Sequence, residues 1–254
     1  MFFRRSKPRA ALRPKFPTLP VGQIIYAIGD IHGRRDLLDE LHWRIDLDHR
    51  QNGGKGLEIY LGDYVDRGTD SAGVISRLIE RSKSKDIICL KGNHETLFEE
   101  FLVGKLELQV WNRLGGVETL RSYGIDPSAL VSLTPQMRAQ VVLAHLPSEH
   151  LLFLKSLRHS VQSGGYFFTH AGVRPGIPLD QQKPDDLETI RGPFLGDERD
   201  HGAIVVHGHT PCQEPEVFSN RINIDTGAYL TGKLTCVVID HLGPQFLDYR
   251  RSFS

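Results

Sequence analysis

The stretch IIYAIGDIHGRRD, Ile24 to Asp36, decides how this chain is read. A run of apolar residues enters Gly-Asp-Ile-His-Gly, and the pattern then turns polar and helical. Taken alone, it is a Gly-Asp turn between a strand and a helix, with an incidental histidine. The sharper alternative has Asp30 and His32 gripping one metal ion from a loop at the carboxyl end of a strand, where the sites of α/β folds collect. The surrounding sequence separates the two.

Outward from this stretch the same alternation repeats. The apolar runs IIYAI, LEIYL and DIICL are each followed by a helical stretch. RRDLLDELHWRIDL places Leu37, Leu38, Leu41 and Ile45 on one face, and DSAGVISRLIERS does the same with Val74, Ile75, Leu78 and Ile79. Near-continuous apolar strands alternating with helices imply βαβ units and buried, largely parallel strands. From about residue 95 to 160 the pattern is helical, broken by NRLGG and SYGIDP, and reads as a helical insertion beside the loops. The final third changes character. GYFFTH, AIVVHGH, RINIDTG, KLTCVVID and QFLDYR are short strands separated by turn residues, with spacings that leave no room for crossover helices. They predict a second, mainly antiparallel or mixed sheet, hence two packed sheets with helices outside.

Composition sets the outer limits. A chain of 254 residues with zero formal net charge fits one domain with an insertion and carries no overall attraction to nucleic acid. The three cysteines, Cys89, Cys212 and Cys236, are scattered and form no CxxC, which argues against a disulfide framework and a thiolate zinc site. They favour a reducing, cytoplasmic location. No apolar run reaches membrane-spanning length, so no stable membrane insertion is expected. MFFRRSKPRAALRPKFPTLP holds six Lys/Arg, four prolines and no acid. Residues 1–22 therefore read as a disordered basic tail outside the fold, and residues 23–254 as the domain.

The opening motif recurs in kind. YLGDYVDRG delivers Asp63, Asp66 and Arg67; ICLKGNHE delivers Asn93, His94 and Glu95; FFTHAG delivers His170; VVHGHTP delivers His207 and His209. Any one could be a turn, but five strands ending alike are not explained as turns. Carboxylates, imidazoles and a neutral amide without a thiolate suit Mn²⁺, Fe or Zn²⁺. Six such ligands exceed the needs of one catalytic ion and point to two ions sharing a carboxylate, ~3.5–4 Å apart, clamping a phosphoryl group.

The order GDIHG, GDYVDRG, GNHE, HAG, HGHT resembles the phosphoprotein phosphatase family within the calcineurin-like metallophosphoesterases. GGVETLRSYG, HAGVRPG and NIDTGAYLTGKL resemble its compact bacterial branch. The resemblance implies a four-layer α-β-β-α sandwich with a di-metal site, Mn²⁺ being the first choice and Fe or Zn²⁺ the alternatives. It implies that Asp30 and His32 hold the first metal, that Asp63 bridges, and that Asn93, His170 and His209 hold the second. It makes His94 a general acid oriented by Asp66, and Arg67 a phosphate clamp. Arg191 in DDLETIRGPFL is the choice for a second phosphate arginine, with Arg174 as rival. His207 reads as a strand-end group, Asp225 as a carboxylate that orients a ligand histidine or as a turn residue. His145, His150 and His159 read as surface or packing residues.

The expected activity is a serine/threonine protein phosphatase acting on phosphoproteins or phosphopeptides by in-line attack of a hydroxide bridging the metals. The alternative is a symmetrical dinucleoside tetraphosphate hydrolase or another small-molecule phosphoesterase; Asp66, Glu95 and Thr210 count against the former because that group usually differs there. A catalytically dead binding scaffold is the remaining class, disfavoured because every ligand and the His94–Asp66 pair are intact.

Overall fold

A computed structural model describes residues 16–52 and 55–247. The strands are β1 (Gln23–Ile28), β2 (Lys55–Tyr60), β3 (Asp86–Cys89), β4 (Ser160–Ser163), β5 (Tyr166–Thr169), β6 (Ile204–His207), β7 (Glu216–Val217), β8 (Arg221–Asn223), β9 (Cys236–Asp240) and β10 (Gly243–Phe246). They form two five-stranded mixed sheets, ordered β10-β9-β1-β2-β3 and β4-β5-β6-β8-β7. In the first, β1, β2 and β3 run parallel; in the second, β5, β6 and β8 do.

Burial on both faces explains the continuous apolar strands. Along β1, Ile24, Tyr26 and Ile28 point into the core under the helices, while Ile25 and Ala27 point into the core between the sheets. On β5, Tyr166 and Phe168 face the other sheet and Phe167 faces outward. The outer face of the first sheet is covered by α1 (Arg35–Asn52), α2 (Ser71–Ser82) and an insertion comprising α3 (Asn93–Leu102), α4 (Leu108–Leu114), α5 (Gly116–Ser122), α6 (Pro135–His145) and α7 (Ser148–Ser156). Two short helices, α8 (Pro184–Thr189) and α9 (Gly192–Leu195), cover the second sheet through Leu187 and Phe194. The layers are helix, sheet, sheet, helix, as expected. The α2 start is set by Asp70, whose carboxylate accepts from the Gly73 N–H at 2.9 Å and satisfies one of the free donors of a first turn.

Three expectations change. β9 and β10 do not extend the second sheet: β9 pairs antiparallel with β1, Ile25 opposite Ile239, and β10 pairs with β9. Apolar alternation does not say which sheet a strand joins. The connection between β5 and β6 does hold helices, α8 and α9, and these permit the parallel pairing. The proposed tail lies outside the described residues up to position 15, but its end does not behave as a tail. Leu19 is buried between the sheets, its N–H bonds Asp240 O at 3.0 Å, and Tyr166 Oη donates to Pro17 O at 2.7 Å. Among the described residues no helix is long and apolar enough to cross a membrane.

Candidate active site

The five motif loops leave the carboxyl ends of β1, β2, β3, β5 and β6 and converge where the two sheets meet. The bends are severe. The non-glycine residues with positive φ among those described are His32, Asp63, Asp66, Arg67 and His209, at 44° to 70°, all of them motif residues. Such conformations persist only where surrounding structure over-determines them, and they cluster at functional sites. Two glycines make the close approach possible: a Cβ on Gly92 would lie 2.2 Å from Asp63 Oδ1, and one on Gly208 2.1 Å from Asp30 Oδ1.

Asp63 is the centre. Its Oδ2 lies 3.3 Å from His32 Nε2 and its Oδ1 lies 3.4 Å from His170 Nε2. His170 Nε2 is also 3.2 Å from both Asn93 Oδ1 and His209 Nδ1. Donor atoms of His32, Asp63 and His94 fall within 4.8 Å of one another, and so do those of Asp63, His170 and His209. The two clusters share Asp63. Burial opposes its charge, but His170, His94 and His32 outweigh that and hold the carboxyl well below its usual range.

The donor set fits metal ions. The other ring nitrogens of His32 and His170 contact backbone carbonyls, Val65 O at 2.8 Å and Leu61 O at 3.0 Å. With Nδ1 donating there, the neutral ring of each turns an Nε2 lone pair to carboxylate and amide oxygens. Lone pairs facing lone pairs in a buried pocket need a cation between them. Oxygen and imidazole donors without thiolate suit divalent ions such as Mn²⁺, Fe or Zn²⁺, with no preference among them set by this geometry.

Asp30 stands beside these clusters rather than within them. It accepts from the His209 N–H at 3.1 Å, and burial, then the charges of Asp225 and Asp63, push its carboxyl well above the usual range. Three carboxylates crowded together in a buried site call for a cation as well. Asp225 partners the Gly227 N–H and Asp30, not a ligand histidine. His207 is buried with Nδ1 on Gly208 O and packs edge-on against Phe194; burial pulls its ring down to about 3. It is a strand-end packing group. Arg191 reaches the site, Nε donating to His209 Nε2 at 2.9 Å, whereas Arg174 is exposed and engaged with Asp186. Of the insertion histidines, His150 is a buried packing residue bonded to Tyr123 and Ser76, and His145 is exposed. His159, in the segment leading to β4, pairs with Glu188.

Within the first cluster, His94 turns Nδ1 to Asp66 Oδ2 at 2.7 Å, and its Nε2 lies 3.0 Å from Arg67 Nη2. Four residues here escaped the sequence reading as site-builders. Glu95 accepts from the N–H groups of Asp63, Tyr64, Val65 and Gly92, so its carboxylate is the mould of the Asp63 loop. Tyr229 places its ring 5.3 Å from His32 and 4.7 Å below the Arg67 guanidinium carbon. Trp111 and Thr119 both bond Asp66. The available signals were the acid following GNH, and GGVETLRSYG and NIDTGAY, quoted above only as marks of a branch.

Residues 24–229 match the calcineurin-like phosphoesterase family. The chain belongs to that family. As a calcineurin-like phosphoesterase it is a metal-dependent hydrolase. Among curated relatives, bis(5'-nucleosyl)-tetraphosphatase PrpE (asymmetrical) of Halalkalibacterium halodurans is 27% identical, covering 83% of this chain and 87% of its own. The protein of the same name from Bacillus cereus ATCC 10987 is 29% identical over 82% and 87%. Among solved structures, one named provisionally as a diadenosine tetraphosphatase superposes with TM-score 0.58 at 23% identity, covering 88% of this chain and 92% of that one. The cold-active protein-tyrosine phosphatase of a psychrophilic Shewanella gives 0.55 at 16% identity, over 91% and 83%. At these identities the structures establish the fold.

Proposed function

We propose that this phosphoesterase hydrolyses dinucleoside tetraphosphates asymmetrically, to a nucleoside monophosphate and a nucleoside triphosphate. The observation carrying the chemistry is the pair of donor clusters sharing Asp63, with Arg67 against His94 of the first. The substrate class is supported by the names of relatives that align along 82–83% of the chain. Asp66, Glu95 and Thr210, read from sequence as marks against a symmetrical dinucleoside tetraphosphate hydrolase, do not count against an asymmetrical one. Asp66 orients His94, Glu95 holds backbone N–H groups, and Thr210 Oγ1 is buried without a partner.

When bound, the two ions supply charge neutralisation at the phosphoryl oxygens and a water acidified for attack. Asp30, His32, Asp63, Asn93, His170 and His209 would hold them. Arg67 and Arg191 offer planar N–H forks to the phosphoryl oxygens. A phosphate that draws Arg67 to itself uncovers His94 Nε2. Burial pushes the His94 ring down, but Asp63 and Asp66 outweigh it and hold the ring above its ordinary value, so Nε2 can carry a proton to the departing oxygen. Water oxygen bonds phosphorus as the bridging P–O bond breaks; the departing oxygen takes the His94 proton, and the proton lost by the water goes to solvent, from which His94 is recharged.

Product analysis with the Mn²⁺-loaded protein and diadenosine tetraphosphate tests this. AMP and ATP in equal amounts are expected. Two ADP per turnover would make it the symmetrical enzyme, and faster turnover of a phosphoserine peptide would restore the protein phosphatase reading. Elemental analysis should find two ions per chain, and Asp63→Asn should lose more than one of them.

A further inference from the structure

We propose that Thr119 and Trp111, contributed by the helical insertion, are positioning residues that fix the Asp66–His94 proton-donor pair. The inference rests on the reading of His94 as the donor. Asp66 is wholly buried and its carboxylate is held from two sides. Thr119 Oγ1 donates to Oδ1 at 2.7 Å, and Trp111 Nε1 donates to Oδ2 at 3.0 Å, the oxygen that also meets His94 Nδ1 at 2.7 Å. One bond on each oxygen blocks rotation of the carboxylate plane, so the oxygen facing His94 cannot turn away.

The Thr119 hydroxyl has no freedom to do otherwise. Its single proton goes to Asp66, so the Asp66 N–H at 2.8 Å and Ser71 Oγ at 3.0 Å must both donate to it. All its bonding capacity is used, and all of it locks this loop. Trp111 is equally constrained, fully buried with its ring centroid 5.2 Å from Phe98 and 4.4 Å from Phe101.

The same corner of the insertion holds the backbone. Gly115, between α4 and α5, accepts the Arg67 N–H at 3.1 Å, and a Cβ there would fall 2.5 Å from the Arg67 nitrogen. Asp66 and Arg67 are consecutive left-handed residues, with φ of 70° and 69°. Their side chains reach different nitrogens of His94, Asp66 at Nδ1 and Arg67 at Nε2. The α4–α5 corner thus shapes the proton donor without supplying a residue to either donor cluster.

The test is the leaving-group dependence of Thr119→Val, which removes the hydroxyl and keeps the side chain's shape. Phenyl phosphate needs a proton for its departing oxygen more than p-nitrophenyl phosphate does. Thr119→Val is expected to slow the former about 10-fold and the latter about 2-fold, a fraction of the 10²–10⁴ typical of general acid catalysis. Trp111→Phe should act in the same direction, and Thr119→Ser should restore the wild-type ratio. The low-field His94 Nδ1–H proton resonance, assigned by its loss in His94→Asn, should shift in Thr119→Val and return in Thr119→Ser. Equal losses on both substrates, or an unmoved resonance, would reduce both residues to packing and overturn the inference. If His94→Asn itself shows no leaving-group selectivity, the proton-donor reading fails and takes this inference with it. Selectivity in His94→Asn but not in Thr119→Val fails this inference alone.

Discussion

At the scale of single residues, the site depends on groups that never meet a ligand. Glu95 receives four backbone N–H bonds, from Asp63, Tyr64, Val65 and Gly92, at 2.7–3.2 Å. Both carboxylate oxygens are needed, because two donors fall on each. Glu95→Gln keeps the volume but turns one end into an NH₂ group facing two N–H donors. It should destabilise the protein by about 1–3 kcal/mol, measured by denaturant unfolding, as expected for leaving buried donors unmet. Metal content should fall as well, because Asp63, with φ of 52°, is held in place by these bonds. Unchanged stability with unchanged metal content would show that the loop shapes itself.

At the scale of elements, α1 and α2 are tied to β2 by a partly buried charge network. Arg81 on α2 bonds Glu58 on β2 and Asp46 on α1, and Lys85 adds to Asp46 at 2.9 Å. Burial raises the Asp46 carboxyl, but its bonds to Arg81 and Lys85 prevail and lower it from 3.8 to about 2. A carboxyl lowered by folding stabilises the folded state above its unfolded value and loses that stabilisation as pH falls through the folded one. Asp46→Asn should therefore lower Tm at pH 7. The gap from wild type should close between about pH 4 and pH 2, the two values bounding the shift. A gap that persists below pH 2 would mean that the side chain acts by packing and not by charge.

At the scale of the whole molecule, the sandwich is closed at one edge by a segment that sequence composition assigns to a tail. Leu19 is 5% exposed and belongs to the apolar cluster between the sheets, which includes Tyr166 and Ile239 from opposite sheets. Leu19→Ala should cost about 2–3 kcal/mol, in the range for buried leucines, and lower Tm by roughly 5–10 °C. Activity at 25 °C should survive, since the metal clusters lie at the strands' carboxyl ends. A calorimetric Tm equal to wild type would return Leu19 to the tail.

The sequence by itself determined what local periodicity and residue chemistry can carry. The βαβ opening was legible because strands buried on both faces must be apolar throughout. The candidate ligands Asp30, His32, Asp63, Asn93, His170 and His209 stood out because bending a strand end to present such groups calls for glycine beside them, and that signature is local. Only the tertiary structure decided relations between distant segments. Whether β9 joins the first or the second sheet depends on hydrogen-bond register with β1, to which alternation is blind. Arg191 came to His209 and Arg174 went to Asp186 because α8 and α9 fold over the second sheet, a placement no residue pattern encodes. Trp111 and Thr119 read as ordinary helix residues, and they became the walls of the Asp66 pocket when the insertion packed against a loop some fifty positions earlier. A hydrogen bond forms wherever folding brings donor to acceptor, and a chain read in order shows only the donors and acceptors.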